Sequence, residues 1–337
     1  MRGAVPSVLP TLVVLAALAP VCRVLACDIC AVYTATTQQT GRTGFQAGVA
    51  EQYSFFGTER LDGHEVTLPA DEHMDSSVTQ FFLGYRFTPR VGVQVTIPYI
   101  DRSFTRIRNH ELEHGTESGL GDVALLANLV AFRTVVGESL FQFSLLGGIK
   151  FPTGSSDRLG EEFVTPAAAG VAAGRRRASV AGSTILPLEG GLHGHDLALG
   201  SGSFDGIAGG QVFWSWRRWF VGAGMQYAIR STGDFDYRYA NDLSWVGGPG
   251  WFALLSHDYS LGLQGVISGE TKGNDTQQGR QANDTAVTAL YLGPGVSFTW
   301  RSALSAEVAV DLPVIQHNTG LQLLPDYRVR GGLAWHF

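Results

Sequence analysis

The segment that most closely matches a known catalytic motif is His110–His114, which fits the pattern H-E-x-x-H. In metalloproteases this string lies on a helix, which places both histidines on one face to bind zinc while the glutamate acts as a base. Here Arg108 and Asn109 precede the string and Gly115 follows it, so we expect a loop between strands. The sequence therefore predicts a chance match and no metal site, although loop histidines could bind a metal adventitiously: His64, His73, His193 and His195.

Two cysteines offer a second kind of chemistry. Two residues separate Cys27 from Cys30, and Cys30 is not followed by the histidine that c-type haem attachment would require. A disulfide between them would suit an oxidising compartment. The segment Val24–Cys27 also resembles a lipoprotein processing site, which would attach lipid to Cys27. A metal or redox role is the third interpretation, and the sequence leaves all three open.

Other catalytic or charged constellations are weak. His317–Asn318 is the adjacent pair with side chains suited to a hydrolytic triad, and it lies in an expected loop. We therefore predict no enzyme activity and no cofactor. The formal net charge of -6 argues against a nucleic-acid partner, because such proteins usually present basic surfaces to phosphate.

The N-terminal residues have the order of a secretory signal peptide. Arg2 precedes the apolar run Val8–Ala19, and Val24–Ala26 supplies small or apolar residues before a cleavage site. The run is shorter than the roughly 20 residues of a membrane-spanning helix. We expect an exported protein with residues 1–26 as signal peptide, 27–44 as a periplasmic segment and 45–337 as the folded body.

The exported part combines high apolarity with the rhythm of β-strands. Hydrophobic residues make up 45% of the chain and charged residues 16%, below the roughly 25% charge of ordinary soluble domains. Short and long connections alternate between twelve segments that we predict as strands: 45–56, 78–88, 91–104, 122–133, 139–153, 204–216, 219–230, 243–255, 259–269, 285–300, 303–315 and 325–337.

A closed antiparallel transmembrane β-barrel accounts for this pattern. Only helices and edge-free barrels satisfy every backbone polar group in hydrocarbon, and bacterial barrels have an even number of strands, short periplasmic turns and long outer loops. We predict an all-β barrel of about 12 strands in the bacterial outer membrane, or about 14 if segment 155–202 adds a hairpin. That segment could instead fold into the pore, with Arg175–Arg177 facing an anion path. The predicted long loops are 57–77, 105–121, 154–203, 231–242, 270–284 and 316–324.

The two faces of each predicted strand differ in polarity. One face would contact lipid, where a cation at mid-membrane costs roughly 2–4 kcal/mol, and the other would line the lumen. The first strand fits less well because Glu51 shares parity with Val49 and Tyr53, which indicates a bulge or a wrong boundary. The predicted lumen lining has mixed charge: Arg86, Gln94, Gln142, Lys150, Gln226, Gln264, Glu307, Asp311, Arg328 and Arg330.

Aromatic residues collect where strands meet the short turns, as at Trp214, Trp216, Trp219 and Trp300, which is typical of a membrane-interface girdle. The final strand resembles the C-terminal strand of outer-membrane barrels, which the barrel-assembly machinery recognises. The expected partners are therefore outer-membrane lipid, that machinery during assembly, and an unidentified small solute. The predicted assembly signal comprises Tyr327, Val329, Leu333, Trp335 and Phe337.

Two short strings resemble the signatures of a known family. Gly119–Val123 opens one predicted strand and Gly148–Gly154 ends the next. Both are similar to outer-membrane transporter-like proteins labelled as phenol-degradation pathway proteins of the MetA type. The resemblance implies a channel for passive passage of small organic or amphiphilic solutes. The alternatives are a barrel enzyme that hydrolyses surface lipid or peptide, and a non-conducting barrel that anchors a partner complex.

Overall fold

The protein is described by a computed structural model that covers residues 43–67, 70–163 and 190–337. Strands dominate these residues. In chain order they are β1 Gly44–Leu61, β2 His64–Glu65, β3 His73–Arg86, β4 Val91–Arg108, β5 Glu111–Leu120, β6 Ala124–Val136, β7 Ser139–Lys150, β8 Asp205–Trp216, β9 Trp219–Ile229, β10 Tyr237–Arg238, β11 Asp242–Leu255, β12 Tyr259–Lys272, β13 Thr276–Gln277, β14 Arg280–Gln281, β15 Val287–Trp300, β16 Leu304–Asn318 and β17 Leu321–His336.

Twelve of these strands close into one antiparallel barrel, which confirms the predicted fold. The barrel strands are β1, β3, β4, β6, β7, β8, β9, β11, β12, β15, β16 and β17, each paired with its neighbours in that order. The ring closes where β17 pairs with β1 from Gln46–His336 to Leu61–Leu321. The alternative of fourteen barrel strands is not formed in the described chain, because β2 and β5 only extend the edges of β1 and β4.

Helical structure is short. Within residues 43–67, 70–163 and 190–337 it consists of the 3-10 helix Asp157–Phe163, the four-residue α-helix Gly194–Leu197 and the 3-10 turn Asp234–Asp236. In the part of the chain that the structure describes, no helix combines the length and apolar character that a membrane-crossing helix needs.

The two ends of the barrel differ. At the turn end, tight connections at 87–90, 137–138, 217–218, 256–258 and 301–303 join successive strands. Left-handed backbone at Gly137, Arg217, Arg301 and Ser302 allows these hairpins to reverse within a few residues. The opposite end, which we call the loop end, carries the longer connections.

Two of the predicted long loops are wrong, because the strands continue through them. Segment 105–121 extends β4 and returns as β5, and β16 and β17 continue to Asn318 and Leu321 around a two-residue turn. Beyond the lipid, the outward side chains no longer need to be apolar, so the sequence alternation ends before the backbone pairing does. The prediction of a loop at His110–His114 is corrected as well, since Glu111–His114 lies in β5.

The outer face of the barrel is apolar, as a lipid-facing wall requires. Phe81, Leu83 and Tyr85 of β3 are exposed, whereas the intervening side chains point inward. Near the turn end the aromatic residues Trp214, Trp216, Trp219 and Trp300 are exposed on the same wall. This closed barrel with an apolar exterior is built for the bacterial outer membrane.

Glu51 lies on the outer face without a bulge, so the expected irregularity there is wrong. It stands in regular register opposite Thr79 of β3. Its carboxylate accepts hydrogen bonds from the hydroxyls of Ser77 and Thr79, which satisfy the charge on the outer wall. The register of β1 against β17 shifts farther along the strand, between Phe55 and Thr58.

Candidate functional site

The inner face of the barrel carries the polar residues that the sequence singled out. All ten lie on inward-facing positions, although their role in passing a solute stays a prediction. They are Arg86 of β3, Gln94 of β4, Gln142 and Lys150 of β7, Gln226 of β9, Gln264 of β12, Glu307 and Asp311 of β16, and Arg328 and Arg330 of β17.

A cavity of about 180 Å³ occupies the middle of the lumen. Its wall is rich in amides and hydroxyls, which each combine donor and acceptor capacity. Such a wall can hydrogen-bond neutral polar groups without requiring a charge on the solute. The lining includes Gln80, Gln211, Gln226, Gln264, Ser244 and Ser268.

Four charged side chains of this cavity form two ion pairs. Arg330 forms two hydrogen bonds to Asp311, at 2.7 and 3.0 Å. Arg328 pairs with Glu270, and its guanidinium lies over the ring of Tyr291, 4.5 Å from the centroid. The Tyr291 hydroxyl donates to the same Glu270 carboxylate at 2.8 Å. Pairing offsets the cost of burying these charges and leaves a lining of mixed sign.

Towards the turn end, one side of the inner wall carries a patch of phenylalanine rings from the neighbouring strands β8, β9 and β11. The ring centroids of Phe213 and Phe220 are 6.1 Å apart, and those of Phe220 and Phe252 are 4.6 Å apart. A second cavity of about 100 Å³ lies beside Phe213 and Phe220, where Ser297 and Glu307 add polar groups. An apolar wall therefore adjoins the polar cavity along the barrel axis.

The loop end of the lumen is filled by two chain segments, residues 154–163 and 190–204, which we call the plug. Leu199 of the plug packs against Val78 and Ile100 on the inner faces of β3 and β4. A larger apolar cluster joins plug and wall through Phe56, Met74, Phe104, Leu192, Leu197 and Leu323. Burial of these side chains anchors the plug inside the barrel.

The plug includes the described residues of segment 155–202, for which the sequence left two interpretations open. Its described residues form short helices and turns inside the barrel, as the pore-folded interpretation expects. The run Ala178–Leu188 and the arginines Arg175–Arg177 lie outside the described residues. The signal peptide, Cys27 and Cys30 also lie outside them.

Ion pairs attach the plug to β4 and β5. Arg106 contacts Glu113 at 2.8 Å and Glu161 of the plug at 2.7 Å, and Arg158 contacts Glu117 and Glu161. Burial raises the pKa of Glu161, but hydrogen bonds from Arg106 and Arg158 outweigh it and hold that pKa below its ordinary value. The carboxylate therefore remains charged and attached.

A second charged cluster fixes the base of the plug. Asp122 accepts hydrogen bonds from the backbone N–H of Ser201 at 2.9 Å and from its hydroxyl at 2.7 Å. Lys150 lies 3.3 Å from Asp122 and 3.7 Å from Asp205, which also pairs with Arg230 at 2.7 Å. Lys150, predicted to line an open lumen, is thus buried within this cluster.

The two family-like strings meet at this cluster. Asp122 belongs to Gly119–Val123 and accepts the backbone N–H of Gly154, the last residue of the other string, at 3.1 Å. A side chain at Gly154 would collide with the carbonyl of Leu199, 2.6 Å from the position of its Cβ. The strings therefore allow the plug to approach the wall closely.

The histidines of the plug sit among carboxylates. His195 is buried, with Nδ1 2.9 Å from Glu162 and Nε2 3.3 Å from Asp196. Burial lowers the pKa of His195, but the charges of Asp196 and Glu162 outweigh it and raise that pKa to about 10. His193 stacks on His195, with ring centroids 5.4 Å apart. His64 and His73 lie in β2 and β3, and neither joins this cluster.

The remaining candidate residues do not form a catalytic arrangement in the described chain. His114 contacts the Thr105 hydroxyl at 2.8 Å across the β4–β5 hairpin. Asn318 donates to the backbone carbonyls of Arg60 and Gly320, so its amide is used structurally. The predicted assembly residues lie in or directly after β17, and their role in insertion stays a prediction: Tyr327, Val329, Leu333, Trp335 and Phe337.

The wall itself has a discontinuity near the loop end. The backbone pairing of β16 with β17, both described in full, ends at Asp311 and Arg328. Pro313 and Pro325 lie beyond that point and lack the N–H that a ladder needs. The side-chain amide of Gln316 donates to the carbonyl of Pro325 at 2.6 Å and bridges the two strands.

Sequence reasoning missed the residues that hold the plug, above all Arg106, Glu113 and Glu161. One signal was available: Glu111, Glu113 and Glu117 alternate with uncharged residues, which is a strand pattern with a charged inner face. Nothing local to 154–163 indicates a partner, because the contact between Arg106 and Glu161 spans 55 residues.

Comparison with known proteins supports the fold. The structure resembles that of an outer-membrane channel from Pseudomonas putida F1, with a TM-score of 0.60, 15% identity, and coverage of 91% of this chain and 100% of the other. Weaker likenesses include the AIDA-I autotransporter transport unit of Escherichia coli (TM-score 0.43, 9% identity, 91% and 93% coverage) and a Pseudomonas aeruginosa FadL homologue (0.35, 10%, 88% and 90%). No protein-family model and no curated protein sequence matches the chain.

Proposed function

We propose that this barrel is an outer-membrane channel that lets small amphiphilic organic solutes pass passively through its lumen. The observation that carries the proposal is the arrangement along the barrel axis. An amide-lined cavity with paired charges adjoins a patch of phenylalanine rings, so a solute with one polar and one apolar part can contact both.

The fold likeness supports the same function. The Pseudomonas putida F1 protein is an outer-membrane channel, and the present chain covers its whole length. At 15% identity that likeness concerns the fold, so the solute class rests on the lumen chemistry of this chain.

The discontinuity between β16 and β17 favours amphiphilic over purely polar solutes. Where the pairing has ended, Leu323, Leu324 and Pro325 of β17 line a cavity. The outer side chains nearby, Leu312 and those at 314–315, are exposed and apolar. An apolar group could therefore remain in contact with apolar surface on either side of the wall.

Proteoliposome swelling with three matched solutes tests this proposal. Phenyl glucoside carries both an aromatic and a polar part, glucose carries the polar part alone, and benzenesulfonate carries a full charge. We expect phenyl glucoside to enter fastest although it is larger than glucose. Replacing Phe220 with Ala should remove that preference, since it deletes the central ring of the phenylalanine patch.

Two results would contradict the proposal. Entry of glucose ahead of phenyl glucoside would indicate a general diffusion pore. Absence of entry by any solute, from protein that migrates as a folded barrel on unheated gels, would favour the non-conducting anchor.

A further inference from the structure

A cluster of imidazoles and carboxylates lies on one side of the plug, where His195 and Asp196 line the same cavity as Leu323 and Leu324. His193, His195 and Asp196 belong to the helix Gly194–Leu197 and the residue before it. One potential ligand atom from each lies within 4.8 Å of the others. Tetrahedral zinc with bonds of about 2.0–2.1 Å separates its ligand atoms by about 3.3 Å, so shifts of about an ångström would close the site.

His195 is already oriented as a metal-binding histidine would be. Its Nδ1 lies 2.9 Å from Glu162, and the backbone N–H of His195 donates to the same carboxylate oxygen at 2.8 Å. Its Nε2 points toward Asp196 Oδ1 at 3.3 Å. A carboxylate on one ring nitrogen fixes the imidazole and leaves the other nitrogen for the ion, the arrangement usual around metal-bound histidines.

His193 contributes an independent observation. Its Nδ1 is buried and makes no hydrogen bond within the described ranges, although buried polar atoms are almost always satisfied. That nitrogen lies 3.9 Å from Asp196 Oδ2, and Nε2 lies 3.9 Å from Asp284 Oδ2. The distance from Nδ1 to Asp196 is too long for a hydrogen bond and suits two ligands of a common ion, whereas Asp284 faces the other ring nitrogen.

We propose that His193, His195 and Asp196 form a binding site for a zinc-class transition-metal ion. Two imidazoles with a carboxylate suit zinc and its neighbours, whereas magnesium and calcium take oxygen ligands. Lys272 also acts electrostatically on His195, but its ammonium is paired with Asp275 at 2.7 Å.

At this location, a bound ion is expected to stabilise the plug. His193, His195 and Asp196 all belong to the plug, so an ion held by these three residues cross-links the segment around the helix Gly194–Leu197. Because a ligand that binds only the folded plug stabilises it, zinc should slow the release of the plug.

Zinc titration of the folded protein in detergent tests the site, with a competing chromogenic chelator to report affinity and cobalt absorption to report tetrahedral geometry. The protein should carry no histidine tag and should have Cys27→Ser and Cys30→Ser, because thiolates bind zinc independently. We expect one ion per chain. His193→Ala and Asp196→Asn should each weaken binding about 100-fold, and Glu162→Gln about 10-fold, the range known for outer-shell partners.

Two control variants separate this site from adventitious binding. His257→Ala removes an exposed histidine at the turn end, and His114→Ala breaks the H-E-x-x-H string. Neither should change affinity. The proposal is overturned if the parent protein binds no zinc, if His193→Ala and Asp196→Asn leave affinity unchanged, or if the control variants weaken binding equally. Heat-modifiable migration establishes that each variant is folded, and Asp196→Asn preserves side-chain shape if His193→Ala does not fold.

Discussion

The barrel wall and the plug are built on different physical principles within one chain. The wall is a regular backbone ladder, with apolar side chains outside and smaller polar ones inside. The plug has almost no regular structure and is attached by buried charges at two clusters, around Arg106 and around Asp122. Lipid dictates the first arrangement, whereas the second depends on individual pairs of side chains.

Because of this difference, we expect substitutions in the wall and in the plug to affect the fold differently. Removing one wall interaction leaves most of the ladder unchanged, because every strand is held by two neighbours. Removing one member of a buried ion pair leaves an uncompensated charge beside the plug. We therefore expect the plug to respond to single substitutions that the wall tolerates.

The two ends of the barrel are expected to face opposite sides of the outer membrane, and this difference predicts the largest effect. If the short turns face the periplasm, a cysteine placed at Gly273 in the loop end should react with an impermeant maleimide on intact cells. The matched variant His257→Cys, at a fully exposed turn-end position, should react only after the outer membrane is disrupted. The opposite pattern would reverse the proposed orientation.

Arg106→Met should detach the plug while the wall remains folded. Arg106 has a side chain that is 3% exposed and pairs with Glu113 and Glu161, so its loss removes the most buried cation of the cluster and leaves both carboxylates to the more exposed Arg158 and Arg108. We expect plug attachment to weaken by about 1.5–3 kcal/mol, the range for hydrogen bonds to charged groups. Hydrogen–deuterium exchange should rise in peptides from residues 190–204 and stay constant in β15 and β16.

Arg108 supplies the matched control for that experiment. It also contacts Glu161, at 3.0 Å, but its side chain is 31% exposed. Because exposed ion pairs contribute little, Arg108→Met should raise exchange in the plug far less. Equal exchange in the two variants would show that burial of the charge is not what holds the plug.

Val296→Lys should weaken the wall instead. Val296 faces lipid on β15, where a cation near the middle of the membrane costs about 2–4 kcal/mol. Urea unfolding in lipid vesicles should show that loss. The control Gln264→Lys places the same charge on the inner face of the neighbouring strand β12, and it should unfold like the parent protein.

The sequence predicted the wall better than the plug, and the same physical difference explains why. Alternation of side chains predicted the twelve strands because lipid imposes an apolar side chain at every second position. It failed for β5 and for the outer part of β16, which lie beyond that constraint. It also predicted an irregularity at Glu51 that is not formed, because the hydroxyls that satisfy its carboxylate come from β3 rather than from β1.

The plug was predicted only as one of two alternatives. Its segments carry no helical or strand period, and its attachments are individual contacts distant in sequence, such as Asp122 with Ser201. The inner-face positions of the lumen residues follow from strand parity. The pairing of Arg330 with Asp311 and of Lys150 with Asp205 depends on which strands are adjacent.

The smallest expected effect concerns the lumen charges. Replacing Glu307 by Gln and Asp311 by Asn removes two negative charges from the inner wall with little change of shape, and leaves Arg330 without its carboxylate partner. We expect reversal potentials in a salt gradient to shift toward anions by a few-fold in permeability ratio. Unchanged selectivity would show that ions do not pass these residues.

Single-channel recording of the wild-type protein beside Arg106→Met tests the central claim most directly. The claim is that solutes pass through the lumen and that the plug limits this passage. It predicts a small conductance for the wild type and a several-fold larger one for Arg106→Met, with Arg108→Met close to the wild type. Equal conductance in all three, or none in any of them, would contradict it.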